Sequence, residues 1–172
     1  MKRRAILRGL AAFSLLPLLP HSAEPNKQRT KLDFAPLNLP RSQWRQLLDE
    51  NRFEILFDED TERAFTSVLN DEKRAGIYVC AACYLPLFDS KHKYDSRTGW
   101  PSFTQPIDDR LETKSDYGLF FPRTEYHCAR CGGHQGHLFS DGPAPRGERW
   151  CNNGLALAFV PSGEPIPPLR QS

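Results

Sequence analysis

Two C-x-x-C hooks, Cys80-Ala81-Ala82-Cys83 and Cys128-Ala129-Arg130-Cys131, carry the most specific chemistry in the chain. Zn²⁺ takes four ligands at tetrahedral corners, and a C-x-x-C turn presents two thiolates at once. Two hooks complete a closed structural site with no open position for chemistry. Residues 84–127 separate them, a longer interval than in a compact zinc ribbon. Closure entropy grows only with the logarithm of length, so the extra span costs roughly 1 kcal/mol. A structural zinc contributes on the order of 10 kcal/mol. Two disulfides, or a redox-active C-x-x-C, would use the same residues, and an exported protein ordinarily favours disulfides.

The fifth cysteine, Cys151, stands apart in Arg149-Trp150-Cys151-Asn152-Asn153, with His134-Gln135-Gly136-His137 upstream. A thiol becomes a nucleophile when nearby cations or donors favour its thiolate. Arg149, two positions away on a strand, would share its face. A buried, inert cysteine is the competing reading, and a histidine pair is often structural. In Gly99-Trp100-Pro101-Ser102-Phe103, aromatics flank a proline that fixes the backbone, after a glycine that frees it. Such a loop can wall an apolar ligand or simply fill a core.

The elements that position these groups fit one domain. The chain has 172 residues, 39% hydrophobic and 26% charged, enough apolar material for a core and too much for a disordered chain. No apolar run reaches the roughly 20 residues of a transmembrane helix. Five cysteines exclude a fully paired disulfide framework. The formal charge of +2 is misleading, because residues 1–23 hold four basic groups and no acid. The remainder carries 19 basic and 21 acidic groups, hence −2, and −4 with a tetrathiolate zinc. That balance gives no electrostatic reason to bind nucleic acid or an anionic membrane.

Residues 1–23 have a basic head, an apolar run and the small residues Ser22 and Ala23, the pattern of a secretory signal peptide. Arg3-Arg4-Ala5-Ile6-Leu7-Arg8 resembles a twin-arginine export signal, whose route carries folded proteins, so a metal site could be filled before export. An uncleaved amphipathic helix is the alternative. An exported, periplasmic protein without a membrane anchor after leader cleavage is expected. Residues 24–40 read as a linker. Ser42 is expected to cap a helix over 43–51, with a strand at 53–57 and a turn or short helix from Thr61-Glu62-Arg63. Short β-prone runs follow at 77–80, 119–121, 125–128, 137–139, 149–151 and 155–160, pointing to an antiparallel core. Residues 162–172 read as a flexible tail, and a monomer is expected.

The ordered set resembles one family. Thr61-Glu62-Arg63, the first hook, Gly99-Trp100-Pro101-Ser102-Phe103, the second hook, His134-x-x-His137, Asp141-Gly142-Pro143 and Arg149-x-Cys151-x-Asn153 together look like a methionine-R-sulfoxide reductase of the B type, over about residues 40–161. The resemblance implies a mainly β fold, with two antiparallel sheets, short N-terminal helices and a structural zinc on Cys80, Cys83, Cys128 and Cys131, distant from the active site. It implies reduction of methionine-R-sulfoxide, mostly in peptides or proteins. Cys151 matches the nucleophile that becomes a sulfenic acid. His134 and His137 match the pair that binds and protonates the sulfoxide oxygen. Arg149 matches the group that favours the thiolate, and Asn153 a polar neighbour. Trp100 matches the wall for the substrate methyl, a contact worth roughly 0.8 kcal/mol, and Phe159 is a further expected pocket residue.

Departures from the pattern are informative. A second, resolving cysteine is common two positions before the tryptophan, where this chain has Thr98. Recycling by an external thiol, from a thioredoxin-like or other thiol reductant, follows. Trp150 and Gly154 replace a usual Tyr and Ser, and Arg97 a common Gly. Three rivals remain: an aromatic-caged binding module, a nucleic-acid-binding zinc domain, disfavoured by charge, and a peroxide-reducing thiol enzyme.

Overall fold

The computed structural model describes residues 33–118 and 122–171. The leader and the expected strand at 119–121 lie outside the described residues. Two short helices open the described chain, α1 (Arg41–Leu47) and α2 (Glu50–Phe57). The chain then builds two antiparallel sheets. In the smaller, β1 (Gly76–Cys80) lies between β2 (Pro86–Asp89) and β9 (Leu157–Pro161). The larger contains β3 (Lys93–Tyr94), β4 (Ser102–Phe103), β5 (Leu111–Asp116), β6 (Arg123–Cys128), β7 (His134–Phe139) and β8 (Arg149–Asn152), in the order β3-β4-β8-β7-β6-β5. The expected mainly β architecture with short N-terminal helices is what the structure shows.

The helical region corrects two expectations. Residues 53–57 form the second half of α2, not a strand. Asp49 caps that helix by accepting from the Arg52 amide at 3.0 Å, and Phe53, Ile55 and Leu56 are buried. A five-residue apolar run cannot by itself distinguish strand from helix; here the Asp49 cap and the stack of Phe57 on Trp44, 5.0 Å between centroids, accompany the helix. The helix expected over 43–51 is therefore two helices, broken at extended Leu48. Pro40, not Ser42, occupies the first cap, without a side-chain bond.

Aromatic rings join the sheets. Phe88 stacks on Phe103 at 4.1 Å and Tyr78 meets Phe103 edge-on at 5.0 Å, while within the larger sheet Tyr126 meets Trp150 edge-on at 5.0 Å. The buried Tyr126 hydroxyl donates to Asn152 Oδ1 at 3.0 Å, so the core's polar tip is satisfied. Strand β5 is polar and half-exposed at the sheet edge, so it lacks the apolar alternation that marks a half-buried strand.

The segments read as linker and tail are tied down where the structure describes them. The Leu37 amide donates to the Arg130 carbonyl at 2.6 Å, and Phe34 and Leu37 are buried. Arg170 Nε donates to the Ala82 carbonyl at 2.6 Å, and the Arg170 amide to the Cys83 carbonyl at 3.1 Å. Free carbonyls at the hook turns supply these anchors, which proline content does not reveal.

Candidate active site and metal centre

Both cysteine hooks are built alike. The Cys80 amide donates to Leu85 O and the Tyr84 amide to Cys80 O, each at 2.9 Å. The second hook repeats this, with Cys128 N to Gly133 O and Gly132 N to Cys128 O at 2.9 Å. Tyr84 (φ 62°) and Gly132 (φ 72°) each take a left-handed conformation to close the turn. Cys80 and Cys131 sulfurs lie 3.7 Å apart, and Cys83 and Cys128 sulfurs 3.5 Å apart. All four sulfurs come within 4.8 Å of one another. A tetrahedral ion with ligands at about 2.3 Å spaces its sulfurs by about 3.8 Å, whereas a disulfide requires about 2.05 Å. The cluster is therefore suited to a structural zinc, and all five cysteines are free of disulfides.

Cys151 sits in β8 between two partners. Across one edge it pairs with Ser102 of β4, and across the other with His137 of β7. Its side chain opens into a depression of about 100 Å³ lined by residues that include Trp100, His137, Phe139, Arg123 and Asn153. Burial pushes the Cys151 thiol up from its ordinary value; the Arg149 charge and the Thr98 and Ser102 hydroxyls pull it back down. Those hydroxyls form a chain, with Ser96 Oγ 2.8 Å from both Thr98 Oγ1 and Ser102 Oγ. Arg149 is held by Asp141 through two bonds, Nε to Oδ1 at 2.8 Å and a terminal nitrogen to Oδ2 at 3.0 Å. It also lies over the Phe139 ring at 4.3 Å.

The two histidines share a side of the sheet. Residues three apart on a regular strand face opposite ways. Here the pairing shifts between Tyr126 and His127, whose partners are Gly136 and His134, so Gln135 is the extra residue. The His134 and His137 rings then lie 5.5 Å apart. His137 Nε2 is 2.9 Å from Asp116 Oδ2, which also accepts from Arg123 at 2.6 Å. The Gly118 amide bond, with the His137 and Arg123 contacts, holds the Asp116 carboxyl well below its ordinary value. His134 is buried, and its Nδ1 meets Glu125 Oε1 at 2.5 Å.

Asn153 and Trp100 are joined through Glu62. The Trp100 indole donates to the Glu62 carbonyl at 2.8 Å, and the Glu62 amide donates to Asn153 Oδ1 at 3.0 Å. The Glu62 carboxylate accepts from the Gly154 and Leu155 amides at 2.6 and 3.2 Å. Asn153 thus braces the wall of the depression, although it also lines it. A Cβ at Gly154 would run into Ser67 Oγ, which accounts for glycine at that position.

Phe159 lies outside the Cys151 depression. It lies on β9 of the other sheet, against Tyr78 at 4.9 Å, and lines a separate groove with Arg52, Glu62 and Leu69. The aromatic beside Cys151 is instead Phe139, two residues after His137 on β7. Strand alternation from His137 could have found it. Glu125, Asp116 and Asp141 carry no local signature as partners, because their histidines and arginine reach them across strands or loops.

The SelR domain family matches residues 48–161. The peptide methionine sulfoxide reductase MsrB of Pseudomonas putida is 48% identical over 122 residues, which cover 69% of this chain and 90% of that protein. The chloroplastic peptide methionine sulfoxide reductase B1 of Arabidopsis thaliana is 44% identical over 132 residues, 76% of this chain and 64% of that longer protein. The MsrB of Methanosarcina barkeri is 45% identical over 118 residues, 68% of this chain and 83% of that protein. The match spans both hooks, the tryptophan loop, the histidine pair and Cys151, so this chain belongs to the SelR-domain family, the methionine-R-sulfoxide reductases of the B type.

Proposed function

We propose that this chain reduces methionine-R-sulfoxide in peptides or proteins with Cys151 as nucleophile. The observation that carries the reading is the grouping of Cys151, His137, Trp100 and Phe139 around one small depression. A sulfoxide needs a soft nucleophile, a proton for its oxygen and an apolar seat for its methyl. The Cys151 thiolate attacks the sulfoxide sulfur, whose oxygen takes a proton from the histidine pair. The S–O bond breaks as the hydroxyl passes to the Cys151 sulfur, the transient bond between the two sulfurs breaks, methionine leaves, and Cys151 ends as the sulfenic acid. Cysteine sulfur is oxidised by two electrons and substrate sulfur reduced by two. Trp100 and Phe139 seat the methyl, and fixed positions for wall and donors select one epimer.

Recycling is by an external thiol. Thr98, beside the sulfur, cannot form a disulfide. An external thiol therefore condenses with the sulfenic acid, releasing water, and a second thiol reduces the mixed disulfide. With an export leader, the reductant is a periplasmic thiol protein supplied through the membrane. Cys80, Cys83, Cys128 and Cys131 hold a structural zinc, which supplies folding energy and no catalytic step.

The test is turnover of both sulfoxide epimers in a peptide by zinc-loaded protein with dithiothreitol, beside Cys151→Ser. The expected result is consumption of the R epimer alone, lost in the variant. Consumption of neither epimer by a folded, zinc-replete sample would overturn the reading.

A further inference from the structure

Glu125 is a carboxylate on β6 with a nearly closed environment. Its side chain is 4% exposed, and the His134 side chain 2%. Oε1 faces both His134 Nδ1 at 2.5 Å and His127 Nε2 at 2.7 Å. Oε2 faces the Lys114 ammonium of β5 at 3.2 Å, and Lys114 reaches Glu59 at 2.6 Å. On β7, the His137 ring lies beside His134. His134 Nε2 is buried without a protein partner. Glu125, His127 and His134 also form a compact donor set, but the ammonium already facing Oε2 opposes a cation there.

We propose that Glu125 is a positioning residue that holds a proton on His134 Nδ1 and so leaves the buried Nε2 as the ring atom that gains and loses a proton. The proposal rests on the reductase reading for its purpose, though not for its geometry. Buried carboxylate–imidazole pairs set both tautomer and proton affinity, because the ring's second nitrogen is fixed by what the first one bonds. Lys114 partly neutralises the carboxylate from outside. Burial pushes His134 below its ordinary value, and the Glu125 charge opposes that. Glu125 itself is pushed up by burial but held below the ordinary carboxylate range, chiefly by the neighbouring His127 and His134.

Removing the Glu125 charge lets His134 lose its proton at lower pH; removing the Lys114 charge does the reverse. The experiment follows the histidine rings by ¹⁵N NMR across pH in wild type, Glu125→Gln and Lys114→Gln, with kcat/KM profiles alongside. Expected are a downward move of the His134 titration in the first variant and an upward move in the second. The acid-dependent limb of kcat/KM should move with each, and Glu125→Gln should lose about tenfold to hundredfold at pH 7. Lys114 is half-exposed, so its variant decides the question if Glu125→Gln does not fold. Folded variants with an unmoved His134 titration overturn the proposal, even if wild type is an active reductase. Moved titrations in a wild type that reduces neither epimer leave the positioning intact and sink the reductase reading instead.

Discussion

Cys151 stands under opposed influences. Burial disfavours its thiolate, while Arg149 and two hydroxyls favour it. The net effect is upward, so the thiolate fraction, and kcat/KM with it, should rise with pH across the neutral range. Arg149→Met removes the cation and moves that rise to higher pH, with about a tenfold loss at pH 7. A pH series of kcat/KM on both proteins checks the sign; an unmoved rise would remove Arg149 from the electrostatics of the thiol. The aromatics give a second contrast. Phe139→Ala should lower kcat/KM roughly tenfold by opening the methyl seat. Phe159→Ala should leave turnover within twofold while lowering the melting temperature, because it packs on Tyr78 away from Cys151.

Strands β7 and β8 approach closely because Gly136 has no side chain. A Cβ there would run into the Cys151 carbonyl oxygen. Gly136→Ala should therefore cost about 3 kcal/mol of stability, read from chemical denaturation, with activity falling as the two strands separate. The adjoining bulge turns His134 and His137 to one side and leaves Gln135 buried, with its Nε2 3.5 Å from Cys80 Sγ. One element thus touches both the candidate active site and the cysteine cluster. Elsewhere, Glu62 links Trp100 to Asn153 and to the turn after β8, so the tryptophan loop and the strand carrying Cys151 are held as one unit.

Over the described molecule, both hooks are clamped from outside by flanking segments. Arg130 donates to the Arg170 carbonyl at 2.5 Å, while Arg170 reaches back to the first hook and lies over Tyr84 at 4.9 Å. Metal analysis should find one zinc per chain. Cys83→Ser should forfeit both metal and folded structure, since such a site contributes on the order of 10 kcal/mol. Arg170→Ala should speed zinc loss to a chelator severalfold with little change in initial turnover. Equal release rates would show that the C-terminal contact does not stabilise the hooks.

Features that depend on local spacing are legible in the order of residues alone. Each C-x-x-C encodes its own turn, and Arg149-x-Cys151 encodes a shared strand face. The ordered motifs, by their resemblance, carried the family and the β architecture. Relations across strands were not legible there. The run at 53–57 was ambiguous until Asp49 and Trp44 completed a helix. His134 and His137, three apart, were bound for opposite faces until a bulge at Gln135 brought their rings together. Phe159 and Phe139 are both apolar strand residues, and only sheet membership separates the one that lines the Cys151 depression from the one that does not. Glu125, 9 positions before His134, became its partner only through the β6–β7 register. A carboxylate's partner is set by proximity in space, and proximity between strands is a property of the folded sheet.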